Sequence, residues 1–251
     1  MSLDLALALA YMLLASALLA AMAGKRIFRS APVFFAYLCF DLASTAAALA
    51  IFRSSGFSAW YLRFILFAYA GDLLLYLCAL AELGKNLLRF NRNSHSHWEV
   101  AVLLFAGAAL LTVVLSKWAV TPGRSWLANA CFLGLRIDGD LHFAGFLALA
   151  GWSGLRKFRW PEREWRIANG FGFVAFVWFL VSLLQYEWST GPVYQVLGRT
   201  TGVSTMVALG YWLNYFWIEA EREPAARGAT AGPDLASNRN RPEDGKRLGN
   251  L

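Results

Sequence analysis

Long apolar runs separated by short polar connections dominate the pattern of this chain. Seven of them reach about the 20 residues that an α-helix needs to cross a hydrocarbon core about 30 Å thick. They predict helices at about 3–23, 31–52, 60–83, 98–118, 125–152, 166–187 and 193–218. The predicted fold is therefore all-α, a polytopic transmembrane bundle of seven helices within residues 1–219.

Basic residues are concentrated in alternate connections between these runs. They are frequent in the first, third and fifth connections and after residue 219, whereas the other connections carry few. Cytoplasmic loops of membrane proteins are enriched in Lys and Arg, so these segments are predicted to be cytoplasmic. With seven spans, the amino end then lies outside and the carboxyl end in the cytoplasm. The basic residues of the three connections are Lys25, Arg26, Arg29, Lys85, Arg89, Arg92, Arg156, Lys157, Arg159, Arg163 and Arg166.

The composition agrees with a membrane location. Hydrophobic residues make up 58% of the 251 residues and charged residues only 16%, whereas soluble domains contain roughly 25% charged residues. Most of the net charge of +7 lies in the connections and the tail, so it indicates orientation and not a nucleic-acid partner. We expect a multi-pass protein of a bacterial inner (plasma) membrane.

The carboxyl-terminal residues and the cysteines predict little further structure. Residues 220–251 contain almost no large apolar side chain, so we expect a disordered cytoplasmic tail. Cys39, Cys78 and Cys131 all lie inside apolar runs and have no paired spacing. This pattern predicts neither a disulfide framework nor a cysteine zinc site.

Ionisable residues inside the apolar runs are the candidates for function. Such residues are rare and costly at membrane depth, and they usually line a site or a pathway. They lie in the second, third and fifth runs, near the middle of the predicted bilayer or in its inner half, and could converge if these helices face one another. The candidate ligand- or ion-binding residues are Asp41, Asp72, Arg136, Asp138, Asp140 and His142.

The fifth run carries most of these residues at helical spacing. Arg136 and Asp140 are four residues apart and share a face, and Asp138 and His142 share a neighbouring face. One Arg against several Asp leaves excess negative charge, which a proton or a bound cation would neutralise. Equally, a buried ion pair could serve only to fix the order of the helices. No fixed ligand spacing predicts a metal site.

Small residues in the seventh run predict close helix packing. Gly198 and Gly202 form a small-xxx-small step of the kind that lets two membrane helices approach. Arg199 lies between them near the predicted outer edge, where its long side chain can extend to the interface.

Several classes of seven-helix protein are excluded by the residues that they require. A retinal Schiff base needs a lysine in the last helix, and all five lysines lie outside the runs or at their edges. Zinc hydrolases of the ceramidase and adiponectin-receptor type need several intramembrane histidines, and only His142 lies in a run. The chain also lacks HExxH, GxSxG and P-loop motifs, so no cofactor is predicted. An intramembrane enzyme with an Asp–His pair as general base is the weakest of the hypotheses, because no nucleophile or metal pattern accompanies the pair.

Three segments resemble those of uncharacterised bacterial seven-helix integral membrane proteins. They are the third run, FAYAGDLLLYLCALAELGKNLL, the fifth, LRIDGDLHFAGFLALAGWSGLRKFRW, and the start of the sixth, EWRIANGFGFVAFVWF. The resemblance is one of pattern and implies a location and a fold, with no activity attached.

The sequence favours a binding or sensing function over catalysis. The leading hypothesis is a module that binds a small molecule, a proton or an ion at its intramembrane polar cluster. The lipid bilayer is its expected partner, and a membrane or cytoplasmic protein would read its state. The alternatives are a small proton- or cation-coupled carrier or channel, and a structural accessory subunit of a membrane complex.

Overall fold

A computed structural model describes residues 3–91, 106, 126–187 and 192–218, and this part of the chain is helical without any strand. Its long helices are α1 (Leu3–Gly24), α2 (Pro32–Ser55), α3 (Ala59–Phe90), α4 (Trp126–Leu155), α5 (Glu162–Glu187) and α6 (Pro192–Ile218). The all-α class is confirmed for these residues. The predicted span at 98–118, apart from residue 106, and the predicted tail at 220–251 lie outside them, so the count of seven helices stays a prediction.

Four of the described helices are long and apolar enough to cross a membrane. They are α1, α2, α3 and the stretch Glu162–Gln185 of α5. Large apolar side chains also face outward, and Leu13 and Phe67 are 72% and 65% exposed. Apolar patches on this scale mark a surface that meets lipid or another apolar partner. These findings agree with a membrane protein.

The six described helices form a closed ring. Each packs against its neighbours along the described chain, α6 packs against α1, and α3 also contacts α5 across the middle. The predicted second, third and fifth runs, now α2, α3 and α4, are consecutive members of this ring. Their polar residues can therefore meet inside it.

One end of the bundle, here called the packed end, holds the main core. Aromatic rings from three helices interlock there: Phe34 of α2 lies edge-on to Phe171 of α5 and Trp212 of α6, with ring centroids 5.5 and 5.0 Å apart. Edge-to-face geometry of this kind is favourable for aromatic pairs. The packed end is defined by Leu18, Met22, Phe34, Leu38, Leu83, Leu87, Leu149, Trp152, Ile167, Phe171, Leu209, Trp212 and Phe216, all of which are buried.

Glu82 of α3 caps the first turn of α2 at the packed end. Helix α2 begins at Pro32, and the residue before it, Ala31, offers no side-chain cap. Oε2 of Glu82 accepts hydrogen bonds from the backbone N–H groups of Val33 and Phe34, each at 3.2 Å. These N–H groups have no partner within the helix, and a negative charge is favourable at a helix amino end. Glu82 thus ties α3 to α2.

Helix α3 continues two turns beyond its predicted end at residue 83. Lys85 and Arg89, assigned above to the third connection, therefore lie on the helix, which ends at Phe90. Asn91 then joins α3 to the segment before α5, because its side chain donates to the Arg159 carbonyl and accepts from the Arg159 N–H, at 3.0 and 3.1 Å. A run of apolar residues marks the part of a helix inside the bilayer, and a helix can extend past it.

Gly198 and Gly202 make no close helix contact within the described part of the chain, so their predicted packing role stays a prediction. A methyl group placed on either glycine would meet no atom within 4 Å in the described part of the chain. Close approach occurs instead at Gly170, which faces the Trp212 indole. Arg199 pairs with Asp4 of α1 through Nε and Oδ1, 2.7 Å apart, at an exposed position.

Candidate functional site

The other end of the bundle, here called the cavity end, encloses a cavity of about 330 Å³. Four of the six predicted site residues line it: Asp41 from α2, Asp72 from α3, and Asp138 and His142 from α4. The remaining walls include residues of α1, α5 and α6, among them Tyr11, Trp178 and Thr205. The ring of helices therefore brings together charges that lie far apart in the sequence.

His142 stands between two carboxylates. Its Nε2 lies 3.1 Å from Oδ2 of Asp72, and its Nδ1 lies 3.3 Å from Oδ1 of Asp138. Nδ1 also lies 2.7 Å from the backbone carbonyl oxygen of Asp138, one helical turn earlier. The predicted contact between Asp138 and His142 at i, i+4 is present, and Asp72 is the partner that comes from another helix.

Aromatic residues hold this histidine in place. The Tyr76 hydroxyl donates to the carbonyl oxygen of His142 at 2.8 Å, and the two rings are 3.9 Å apart between centroids. The Trp178 ring of α5 lies on another side, 5.8 Å away. Neither aromatic residue was singled out from the sequence, because an aromatic residue within an apolar run carries no mark of its neighbours.

The buried polar atoms of this cluster are incompletely hydrogen bonded. Asp138 and His142 are only 2% and 4% exposed. Both carboxylate oxygens of Asp138 and Nε2 of His142 lack a hydrogen-bond partner within the described part of the chain. Nε2 of His142 keeps a close contact with Oδ2 of Asp72, at 3.1 Å. Buried charged groups without partners are costly, so such a cluster calls for an explanation.

The indole N–H of Trp178 adds an unpartnered donor to the cavity wall, by the same measure. Trp152 carries a similar unpartnered N–H in the packed end. A single neutral donor costs far less to bury than a carboxylate. The concentration of unpartnered groups around Asp138 and His142 is therefore what distinguishes the cavity end.

Asp41 of α2 lines the same cavity. It accepts a hydrogen bond from the hydroxyl of Tyr11 on α1. A second, smaller space of about 20 Å³ lies between Asp41, His142 and the aromatic core, which is about the room that one water molecule requires. Tyr11 was missed from the sequence because tyrosines in membrane helices are usually interfacial anchors.

Asp140 turns away from the cavity that the described residues form. Its Oδ1 accepts a hydrogen bond from the hydroxyl of Ser182 on α5, at 3.2 Å. Two residues along an α-helix correspond to a rotation of about 200°, which explains why Asp138 and Asp140 face opposite sides. The side chain of Arg136 lies outside the described residues, so its predicted pairing with Asp140 stays a prediction.

Three of these residues could hold a metal ion. Asp72, Asp138 and His142 each offer one ligand atom, and these atoms lie within 4.8 Å of one another. The sequence predicted no metal site because only two of the three are spaced along one helix. The third, Asp72, joins them only when α3 packs against α4.

Comparison with known proteins adds no assignment to this geometry. No protein-family model matches the chain, and no curated protein or solved structure is similar to it. The pattern-level resemblance to bacterial seven-helix proteins therefore stays an expectation, and any function has to be argued from the site.

Proposed function

We propose that this chain is a multi-pass inner-membrane protein with seven helices and its amino end outside, and that its bundle binds a small ion or polar ligand in the cavity. The binding residues are Asp41, Asp72, Asp138 and His142. The observation that carries the proposal is the buried carboxylate of Asp138, whose two oxygens have no hydrogen-bond partner in the described part of the chain and adjoin a cavity of about 330 Å³. A ligand in that cavity would supply the missing partners.

The distribution of space favours binding over passage through the bundle. The cavity lies in one half of the bundle, and the interlocked rings of Phe34, Phe171 and Trp212 occupy the other half. A carrier or channel would need a path through this aromatic cluster. A site closed on one side instead suits a module that binds a ligand and changes state.

A signal from such a site would travel through α4 and α5. Gly139, next to Asp138, packs against Trp178 of α5, and Asp140 contacts Ser182 of the same helix. A ligand that moves the Asp138 carboxylate would therefore act on the interface between these helices. A partner protein would read the change at the predicted cytoplasmic connections.

Thermal unfolding of the full chain in lipid nanodiscs tests the proposal. Probes are Na⁺, K⁺, Mg²⁺, Zn²⁺, Co²⁺ and small amino acids, each added at increasing concentration. A ligand at about 100 times its Kd stabilises the folded state by about 2.7 kcal/mol, which corresponds to a rise in Tm of about 5–10 °C for a protein of this size. We expect at least one probe to produce such a rise.

The matched variants are Asp138→Asn and Asp140→Asn, which neutralise two carboxylates of the same helix. The first should abolish the rise in Tm, and the second should retain it because Asp140 faces α5. If no probe raises the Tm of the parent protein, or if every rise survives in Asp138→Asn, the cluster has only a structural role and the proposal is wrong.

A further inference from the structure

His142 presents one ring nitrogen in the state that a metal ion requires. Nδ1 lies 2.7 Å from the backbone carbonyl oxygen of Asp138, which can only accept a hydrogen bond, so Nδ1 carries a hydrogen. In a neutral imidazole, Nε2 then keeps its lone pair. Metal-binding histidines are commonly oriented in this way, by a hydrogen bond from the second nitrogen to a carbonyl or carboxylate.

The distance between Nε2 and Asp72 suits two ligands of one ion. Ligand atoms about 2.1 Å from the same metal lie about 3.0 Å apart at a right angle and about 3.4 Å apart at the tetrahedral angle. Nε2 and Oδ2 of Asp72 are 3.1 Å apart, which is inside this interval.

Asp138 supplies the third ligand from the helix that carries His142. Its carboxylate has two buried oxygens without a partner in the described part of the chain. The ligand atoms of the three residues lie within 4.8 Å of one another. Two direct ligands of one ion lie closer, at about 3.4 Å or less. Asp138 would therefore bind the ion directly or through a water molecule.

The charges of the three side chains match a divalent ion. Two ionised carboxylates and a neutral imidazole carry a total charge of −2, which one divalent cation cancels. Isolated charge is expensive in a low-dielectric interior, so a neutral cluster is strongly preferred there. The same ion would bind the oxygens of Asp138 and Nε2 of His142, which have no hydrogen-bond partner in the described part of the chain.

From this geometry we infer that Asp72, Asp138 and His142 bind one divalent transition-metal ion, of which Zn²⁺ and Co²⁺ are representative. The inference rests on the proposed function, because it names the chemical class of the ligand in the cavity. Imidazole nitrogen favours transition metals, whereas Mg²⁺ and Ca²⁺ prefer sites made only of oxygen. With three protein ligands, at least one coordination position stays open toward the cavity, as in sites that exchange a bound water.

The competing arrangement is a doubly protonated His142 held between two carboxylates. That arrangement makes a buried ion triad with a charge of −1 and has no need of a metal. The two arrangements differ in stoichiometric metal uptake, which can be measured on the intact protein.

The experiment measures metal binding to the tag-free full chain in nanodiscs, stripped with a chelator and then dialysed against Co²⁺ or Zn²⁺. The background carries His95→Ala and His97→Ala, because these two histidines lie close together in the sequence and could bind metal by themselves. We expect about one metal ion per chain by elemental analysis, and visible absorption bands of Co²⁺ typical of a low-symmetry site, which Zn²⁺ displaces.

Single variants separate the site from adventitious binding. Asp72→Asn, Asp138→Asn and His142→Ala should each weaken the affinity at least about tenfold, because even partners outside the first coordination sphere contribute 10- to 100-fold. Asp140→Asn should bind as the parent does. A monodisperse elution profile for each variant shows that it has folded.

The possible outcomes separate this inference from the proposed function. Less than 0.2 equivalents of metal, or uptake that is equal in the parent and in all three variants, overturns the metal site. If another probe then raises the Tm of the parent but not of Asp138→Asn, the binding function stands without the metal. If no probe does so, both proposals fall.

Discussion

The two ends of the bundle differ in how completely their buried carboxylates are hydrogen bonded. At the packed end, Glu82 accepts hydrogen bonds from two backbone N–H groups, and Glu164 accepts hydrogen bonds from the side chains of Asn86 and Arg163. The Trp212 indole donates a hydrogen bond to a backbone carbonyl. At the cavity end, the oxygens of Asp138 lie near His142 but accept no hydrogen bond from the described residues. Satisfied groups hold helices together, whereas an unsatisfied group is tolerated where it serves a site.

Space is divided in the same way. Rings and aliphatic side chains fill the core of the packed end, where the Trp212 indole approaches Gly170 closely, and a groove of about 450 Å³ runs past Val33 and Glu82. At the cavity end, Gly202 lines an open volume. The packed end can therefore act as a rigid base that positions the polar cluster. Substitutions at the two ends should change the free energy of unfolding by different amounts and in different directions.

The largest effect is expected from removing an aromatic ring of the packed end. Phe34 is 1% exposed and contacts Phe171 and Trp212, so Phe34→Ala should lower the free energy of unfolding by about 3 kcal/mol. Phe67→Ala, at a residue that is 65% exposed, is the matched control and should change it little. Unfolding by a denaturing detergent in mixed micelles measures both. Equal losses would show that the packed end is not the main source of stability.

Adding a methyl group should change the free energy of unfolding by a smaller amount, with opposite signs at the two ends. Gly170→Ala places the methyl against the Trp212 indole and should destabilise the protein by about 1–3 kcal/mol. Gly202→Ala meets no atom within 4 Å and should stabilise it by up to about 1 kcal/mol, through better helix propensity. The same unfolding assay applies. Similar results for the two variants would contradict the difference in packing.

The smallest change in the free energy of unfolding is expected from neutralising one carboxylate at each end. Glu82→Gln weakens the cap of α2 and should cost about 1 kcal/mol. Asp138→Asn removes a buried carboxylate that accepts no hydrogen bond in the described part of the chain, and should leave the metal-free protein unchanged or stabilise it by up to about 1 kcal/mol. Both are measured after treatment with a chelator. A clear loss for Asp138→Asn would indicate that it pairs with a positively charged His142.

The sequence predicted the described helices well because their signals are local. Pro32 begins α2, and Glu162 and Glu164 lie in the first turn of α5, as a helix amino end favours. The contact between Asp138 and His142 also followed from their spacing on one helix. The predicted end of α3 was too early, because the length of an apolar run follows the thickness of the bilayer and not the length of the helix.

Other features required the packing of one helix against another. Glu82 lies near the end of an apolar run, and its role as a cap depends on the position of α2. Tyr11 and Trp178 looked like any aromatic residue of an apolar run. The helical rotation between Asp138 and Asp140 shows that they face opposite sides of α4. It does not show which of them faces the cavity.

By itself, the sequence determined that the described chain is helical and rich in segments able to cross a membrane, because the length and hydropathy of a run depend only on neighbouring residues. It also marked which charges lie inside these segments. The tertiary structure alone decided that Asp72 meets His142 while Asp140 meets Ser182. The physical reason is that a contact between helices depends on their order and rotation in the ring, which are set by the packing of all six helices together.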